Sequence, residues 1–227
     1  MSSSENKNRT CAIIPFFNER FTIDEVVKRT IPYVDHVFLI DDGSTDNYKI
    51  SEYPPQNISL LRHEVNIGKG AALRTGFEHA FNKGYDPVIT LDGDLQHEPE
   101  KIPLFIAALK NYDIVIGSRM NDTKSMPVQR ILSNKITSAM VYIKTGKKVF
   151  DSQSGFRGYN SRFIRSFNGI SNNWGAETEI LIIAAKKGAQ FGSVPVPTIY
   201  NDLNTSKMQP LRAIFQFLRA IFKSYSY

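Results

Sequence analysis

Short apolar runs alternate with amphipathic segments through the first 117 residues, and this alternation constrains the fold more than any other feature of the sequence. Five runs predict buried strands: Cys11–Ile14, Val37–Ile40, Ile58–Leu61, Val88–Leu91 and Ile114–Ile116. The segments between them have helical periodicity over Phe21–Tyr33, Gly70–Lys83 and Pro99–Leu109. Alternating strands and helices predict an α/β fold with a mostly parallel sheet covered by helices.

The alternation is looser from Ser118 onward. Gln129–Lys144 and Glu177–Lys187 predict helices, whereas Val149–Tyr159 is predicted to be extended. Ala189–Pro197 contains two prolines and therefore predicts an edge strand. Neither an internal repeat nor a long linker divides the sequence, so we interpret residues 1–227 as one domain.

The composition is that of an ordinary globular protein, with 41% apolar and 22% charged residues. The single cysteine, Cys11, cannot form an intrachain disulfide, which favours a reducing compartment. The polar start of the chain does not resemble a secretory signal, and no apolar run approaches the roughly 18 residues of a spanning helix. We therefore expect a soluble or peripheral protein. A net charge of +6 fits an anionic partner.

Acidic residues follow three of the predicted strands, where ligands of parallel sheets bind. Glu19 follows the first strand, Asp41, Asp42 and Asp46 follow the second, and Asp92 and Asp94 follow the fourth. Neighbouring carboxylates repel each other, and a divalent cation relieves that repulsion. Hard oxygen ligands favour Mg²⁺ or Mn²⁺, and one cysteine with four histidines argues against a closed zinc site. The same Asp-Gly sequences also form good turns.

Two further segments carry polar groups of ambiguous meaning. Lys69 lies between Gly68 and Gly70 at a predicted helix start, which suits an anion but also an ordinary helix start. Glu177 and Glu179 begin a later helix, where they either complement the helix dipole or form a wall of an acceptor pocket.

Six segments resemble, in order and spacing, the family 2 inverting glycosyltransferases, most of all the branch of dolichyl- or polyprenyl-phosphate mannose and glucose synthases. They are Pro15–Glu19, Asp41–Asp46, Asn66–Arg74, Asp92–Pro99, Gly117–Arg119 and Asp151–Arg157. The resemblance implies the GT-A fold, with residues 1–117 binding a nucleotide sugar and residues 118–207 binding the acceptor. It also implies metal-assisted transfer of mannose or glucose from a GDP- or UDP-sugar to a polyprenyl or dolichyl phosphate.

The resemblance also assigns roles to individual residues. It implies that the nucleotide is bound by seven residues, of which Asp41 contacts the base. They are Pro15, Asn18, Glu19, Asp41, Asp42, Lys69 and Asp92. Asp92, Asp94 and Gln96 would hold the metal and the donor diphosphate, and Asp92, Asp94 and Arg119 would carry catalysis. Arg119 and Arg130 match arginines that approach the lipid phosphate, and Ser206 and Lys207 match a segment that closes over the site. Arg157 and Lys207 are further candidate cations for the acceptor phosphate.

The last 20 residues, 208–227, predict an amphipathic helix. One apolar stripe is formed by Leu211, Ile214, Phe215, Leu218, Ile221 and Phe222. The segment also contains Arg212, Arg219 and Lys223 and no acidic residue. Such a helix suits a membrane surface, which would make the protein peripheral at the cytoplasmic face of a membrane. Packing on the core and a contact in a homo-oligomer are the alternatives.

Two other functions remain open from the sequence. The same fold could act on a glycan or protein hydroxyl, with Glu177, Glu179 or Asp151 as general base. The chain could also be a non-catalytic module that binds a nucleotide sugar. We expect no nucleic acid partner, because the basic residues do not cluster with aromatic residues in a recognisable module.

Overall fold

The computed structural model of the protein describes residues 9–50, 56–121, 123, 126–167, 170–172 and 175–199. The predicted C-terminal helix, 208–227, and the predicted closing residues Ser206 and Lys207 lie outside these ranges. Within them, the chain forms one seven-stranded sheet with helices on both faces.

The strands are β1 (Cys11–Phe16), β2 (His36–Asp41), β3 (Ile58–Arg62), β4 (Val88–Thr90), β5 (Ile114–Ser118), β6 (Arg157–Tyr159) and β7 (Phe191–Pro195). Their order in the sheet is β3-β2-β1-β4-β6-β5-β7. Only β6 runs antiparallel to its neighbours, β4 and β5. All five strands predicted in the first half are confirmed, and β7 is an edge strand as its prolines indicated. The predicted extended segment Val149–Tyr159 contains regular strand only at its end.

The helices are α1 (Ile23–Thr30), α2 (Lys69–Asn82), α3 (Ile102–Ala108), α4 (Val128–Thr145), α5 (Ser161–Ile164) and α6 (Ala176–Lys186). One apolar cluster buries α2, α4 and α6 against one face of the sheet, through residues such as Phe77, Val141 and Ile180. A second cluster buries α1 and α3 against the other face, through residues such as Val26 and Phe105. The five helices predicted within the described residues are confirmed, with ends that differ by a few residues. The longest described helix, α4, falls short of the apolar character needed to cross a membrane, and so do the other described helices.

Helix α1 begins without a side-chain cap. Thr22 is the N-cap residue, but its hydroxyl makes no bond to the helix backbone. The hydroxyl instead donates to the carbonyl oxygen of Gly93 at 2.7 Å. Thr22 therefore ties the loop after β1 to the loop after β4.

The carboxyl ends of four strands meet at one edge of the sheet. β1, β2 and β4 are mutually parallel, and β4 and β5 share a direction because both are antiparallel to β6. The loops after these strands carry most of the candidate site residues, from Asn18 to Arg119. The topology thus brings to one edge the groups that the sequence separates by a hundred positions.

Candidate active site

Lys69 lies at the centre of a charge network at this edge. It is the first residue of α2, and its Nζ lies 2.6 Å from Asp92 Oδ1 and 3.0 Å from Glu177 Oε1. Asp92 follows β4, and Glu177 lies in the first turn of α6. The three side chains join the first half of the sequence to its later half.

The charges of this network shift one another's ionisation. Burial lowers the pKa of Lys69, but Asp92 and Glu177 outweigh burial and hold that pKa above its usual value. Burial raises the pKa of Asp92, but Lys69 and His97 outweigh it and hold that pKa well below its usual range. Asp94 differs, because burial and then the charge of Asp92 raise its pKa. The edge thus holds a firmly ionised carboxylate beside one whose charge is unfavourable.

This pair of carboxylates fits a divalent cation that is completed by its substrate. Mg²⁺ is commonly bound by one or two carboxylates together with substrate phosphates. Among the described residues, no group of three or more histidine, cysteine, aspartate or glutamate side chains could hold a metal ion unaided. Burial and the charge of Asp92 both disfavour the ionised form of Asp94. A cation bound nearby would therefore stabilise this carboxylate. Gln96 lies in the same loop, where its backbone N–H donates to Asp94 Oδ1 at 3.0 Å.

His97 and Gly155 lie next to Asp92, although neither was assigned a role from the sequence. His97 is buried, with its Nε2 3.5 Å from Asp92 Oδ2 and its ring centroid 5.4 Å from that of Phe156. A Cβ at Gly155 would lie 2.5 Å from Asp92 Oδ2, so glycine is required for the approach of the two loops. Both residues belong to segments that carry the family resemblance, Asp92–Pro99 and Asp151–Arg157, and that position was the available signal.

Asp41, which the resemblance places on the base, is engaged inside the protein. Its side chain is completely buried, with Oδ2 2.6 Å from Arg62 Nε and Oδ1 2.8 Å from the backbone nitrogen of Ser44. These contacts fix the loop after β2, and the base contact stays a prediction.

Asp42 and Pro15 are also buried. The carboxylate of Asp42 accepts bonds from the backbone nitrogens of Ile67 at 3.0 Å and Gly68 at 2.8 Å, so it fixes the loop that precedes Lys69. Pro15 is a residue of β1 and pairs in register with Ile40. Both residues support the predicted nucleotide site from the protein interior and expose little surface to a ligand.

Asn18 and Glu19 lie nearer the surface of the same edge. The backbone of Asn18 is left-handed, with φ 55°. Its N–H donates to Ser44 Oγ at 2.9 Å, and its Oδ1 accepts a bond from the Thr45 nitrogen at 2.8 Å. Glu19 accepts a long bond, 3.3 Å, from the Thr22 hydroxyl. The two Asn18 contacts hold the loops after β1 and β2 together.

Arg119 is oriented by a buried carboxylate. Its Nε and Nη2 each lie 2.9 Å from an oxygen of Asp151, whose side chain is completely buried. Asn134 of α4 donates to the same carboxylate at 3.0 Å. A bidentate pair of this kind fixes the plane of the guanidinium. Arg130, the other arginine predicted to meet a lipid phosphate, lies partly exposed in the first turn of α4.

Arg157, proposed above as a cation for the acceptor phosphate, is placed elsewhere by the structure. It is completely buried, and its guanidinium donates to the carbonyl oxygens of Ser154, Glu177 and Ser152 at 2.7, 2.7 and 2.8 Å. Arg157 therefore fastens the loop before β6 to the start of α6. The sequence could not show this, because an arginine in a polar motif is compatible with binding either a ligand or backbone carbonyls.

A substitution tests this structural role. Arg157→Lys removes the fork that reaches three carbonyls, and we expect it to lower the free energy of unfolding by about 2–4 kcal/mol. Urea unfolding measures the loss, and the KM for the acceptor should stay unchanged. Unaltered stability together with a raised acceptor KM would return Arg157 to the phosphate site.

The three carboxylates proposed as general bases are all engaged. Asp151 is bound by Arg119 and Asn134, and Glu177 is bound by Lys69. Glu179 accepts bonds from the backbone nitrogen and the hydroxyl of Ser171. Each is buried in the structure. None of the three is arranged to take a proton from an acceptor hydroxyl, which must lie within hydrogen-bond reach of its base.

Comparison with known proteins identifies the family. Residues 11–167 match the family described as Glycosyl transferase family 2. The chain is 33% identical over 219 residues to UDP-N-acetylglucosamine--dolichyl-phosphate N-acetylglucosaminyltransferase of Methanococcus voltae, across 86% of this chain and 87% of the relative. It is 28% identical over 215 residues to undecaprenyl-phosphate mannosyltransferase of Micrococcus luteus, across 88% of this chain and 87% of the relative.

A solved structure confirms the fold. It is glucosyl-3-phosphoglycerate synthase of Mycobacterium tuberculosis in complex with Mn²⁺ and UDP-glucose, with a TM-score of 0.70 and 19% identity. The superposition covers 96% of this chain and 79% of that one. The predicted GT-A α/β fold and the predicted family are both confirmed. The chain belongs to glycosyl transferase family 2 and is a glycosyltransferase.

Proposed function

We propose that this glycosyltransferase moves a sugar from a nucleoside-diphosphate sugar to the phosphate of a polyprenyl or dolichyl lipid, with inversion at the sugar carbon. One observation carries the choice of acceptor: Asp151, Glu177 and Glu179 are all buried and engaged by other side chains or backbone, an arrangement that does not favour a general base. A lipid phosphate is already an anion at neutral pH and needs no base. Relatives named for dolichyl-phosphate and undecaprenyl-phosphate transfer support the same choice.

The donor would bind at the carboxyl edge of β1, β2 and β4. Asn18 and Glu19 would line the nucleotide site, and Asp41, Asp42 and Pro15 would build its floor. Asp92, Asp94 and Gln96 would hold Mg²⁺ or Mn²⁺ with the donor diphosphate. When bound, that ion neutralises charge on the leaving nucleoside diphosphate.

The chain's own residues would position the reactants. Lys69 holds Asp92 ionised and in place at 2.6 Å. Arg119, fixed by Asp151, and Arg130 would bind the lipid phosphate and offset its repulsion from the diphosphate. The phosphate oxygen would then displace the nucleoside diphosphate in line, in one step that requires no enzyme nucleophile. Lys207, outside the described residues, is proposed to join this phosphate site.

The proposal divides the single domain, 1–227, by role. Residues 1–117 would bind the donor, residues 118–207 the acceptor, and residues 208–227 a membrane surface at its cytoplasmic face. Whether the protein acts as a homo-oligomer would be measured separately, by light scattering.

A thermal-shift panel identifies the donor. We expect either UDP or GDP, with Mn²⁺, to stabilise the protein, by about 2.7 kcal/mol at a concentration of 100 times its Kd. The effect should fall sharply without the metal, because the diphosphate would then meet Asp92 and Asp94 directly. Equal shifts with UMP or GMP in place of the diphosphates would contradict the proposed metal-diphosphate contact.

A transfer assay identifies the acceptor. Radiolabelled UDP-N-acetylglucosamine, UDP-glucose and GDP-mannose should each be offered with polyprenyl phosphate, polyprenol and an oligosaccharide. We expect label only on polyprenyl phosphate, and a product labile to mild acid. Transfer to the oligosaccharide alone, lost in Glu177→Gln or Glu179→Gln, would establish the hydroxyl acceptor. Donor binding without any transfer or hydrolysis would establish a non-catalytic module.

A further inference from the structure

Helix α4 exposes a continuous apolar stripe on the side that faces away from the core. The stripe consists of Val128, Leu132, Ile136, Ala139 and Ile143, which are spaced 4, 4, 3 and 4 residues apart. Val128 is 75% exposed and Ile143 is 82% exposed. The opposite side of the helix buries Ser133, Asn134, Thr137 and Val141. The usual polarity of a surface helix is thus reversed, since its outer face is expected to be polar.

The charges around this α4 outer stripe indicate what covers it. From Val128 to Phe150 the chain has five basic residues, Arg130, Lys135, Lys144, Lys147 and Lys148, and no acidic residue. Lys135 flanks the stripe on the helix, and Lys147 and Lys148 follow its C-terminal end. An apolar face with basic residues beside it and no acidic residue is the pattern of a helix that lies in the headgroup region of an anionic bilayer. We infer that α4 docks the protein on an anionic phospholipid surface through the α4 outer stripe.

Other occupants match these charges less well. The segment 210–227 of this chain also contains basic residues and no acidic residue, so packing it on α4 would bring like charges together. A second copy that paired through α4 would do the same. Anionic headgroups supply the opposite charge, and each lysine near such a surface contributes to binding.

The position of α4 links this surface to the proposed site, so the inference deepens the proposed function and rests on its lipid acceptor. Asn134, on the buried face of α4, holds the carboxylate of Asp151 that orients Arg119. A helix is about 10 Å thick, so headgroup phosphates at the outer stripe would lie about that far from the buried face of α4. Docking through the outer stripe would therefore bring the lipid phosphate to within about one helix diameter of the residues that orient Arg119.

Vesicle flotation of the full chain tests the inference. The wild type should float with phosphatidylcholine vesicles that contain phosphatidylglycerol, and much less with pure phosphatidylcholine. Leu132→Ser with Ile143→Ser should weaken flotation by about tenfold or more, because both side chains lose their apolar contact. Leu104→Ser is the matched control, because Leu104 is exposed to a similar degree on α3, at the other face of the sheet. The control should float as the wild type does.

A charge variant provides a second, independent arm. Lys135→Gln with Lys147→Gln keeps the stripe and should weaken binding to the anionic vesicles by about fivefold per lysine. The inference is overturned if the stripe variant floats like the wild type. It is also overturned if that variant instead splits a dimer in light scattering while vesicle binding persists.

A short-chain, water-soluble polyprenyl phosphate separates this inference from the proposed function. In vesicle-free solution the stripe variant should transfer sugar to it at the wild-type rate. Wild-type flotation that depends on the stripe, without transfer to any lipid phosphate, would support the docking surface and refute the proposed acceptor. Transfer to the short-chain acceptor without flotation would refute the docking surface alone.

Discussion

Asp94→Asn should reduce sugar transfer by roughly a thousandfold, the scale of losing one electrostatic contact to the developing charge. The amide keeps the size of the side chain and an acceptor for the Gln96 N–H, but it removes a negative ligand from the proposed metal-diphosphate site. The stability of the folded protein should not fall with the activity. Burial and Asp92 raise the pKa of Asp94, so the ionised form destabilises the folded protein at pH 7. The metal-free variant should therefore melt at an equal or higher temperature than the wild type.

The pH dependence has a definite sign. An acid whose pKa is raised in the folded state binds more protons when the protein is folded. Its contribution to the free energy of unfolding therefore falls as pH rises from the pKa of the unfolded state to that of the folded state. The stability gain of Asp94→Asn should thus be full at pH 7 and vanish in acid. Asp113→Asn is the matched control, because Asp113 is also buried but bonds Gln190 in another part of the sheet. It should lower the melting temperature and keep transfer. Equal losses of activity in both variants would contradict the account.

Lys69→Met should abolish transfer and also destabilise the protein, by about 3–5 kcal/mol. The substitution leaves the carboxylates of Asp92 and Glu177 without the cation that bridges them at 2.6 and 3.0 Å. The expected loss is large because the network is mostly buried, where an uncompensated charge is costly. Adding Glu177→Gln to Lys69→Met removes one of the two stranded charges and should recover part of the stability.

Unfolding measured across pH separates this network from simple packing. Because the pKa of Asp92 is lowered, its contribution to the free energy of unfolding is present above the ordinary aspartate pKa, about 4, and is lost as pH falls. The raised pKa of Lys69 means that its contribution is present below about 10 and is lost as pH rises through the folded value. The difference between wild type and Lys69→Met should therefore be greatest near neutral pH. A difference that does not change with pH would show that Lys69 acts through its alkyl chain.

The sequence predicted most of the fold because the strands and helices of its first half have distinct periodicities. The buried run Val37–Ile40 and the amphipathic segment Gly70–Lys83 both formed the expected elements. The same pattern placed Asp92 and Lys69 at one edge, since parallel strands end together. In the structure the two side chains meet there at 2.6 Å.

The partners of polar side chains could not be predicted from the sequence. Asp41 and Arg157 lie in motifs typical of ligand binding, yet Arg62 occupies the first and backbone carbonyls occupy the second. Glu177 was considered as a base or a helix-dipole residue, and it binds Lys69 more than a hundred positions away. Such pairings depend on distances across the folded chain, whereas periodicity reports only which face a residue occupies.

The central claim is that Asp92 and Asp94 hold a divalent cation that carries the donor's diphosphate. Anomalous diffraction from crystals grown with MnCl₂ and the nucleoside diphosphate selected by the thermal-shift panel tests it most directly. The account predicts one manganese peak about 2.0–2.3 Å from a carboxylate oxygen of this pair and from the phosphates. Nucleotide density at the carboxyl edge without manganese beside either aspartate, or manganese bound elsewhere, would contradict it.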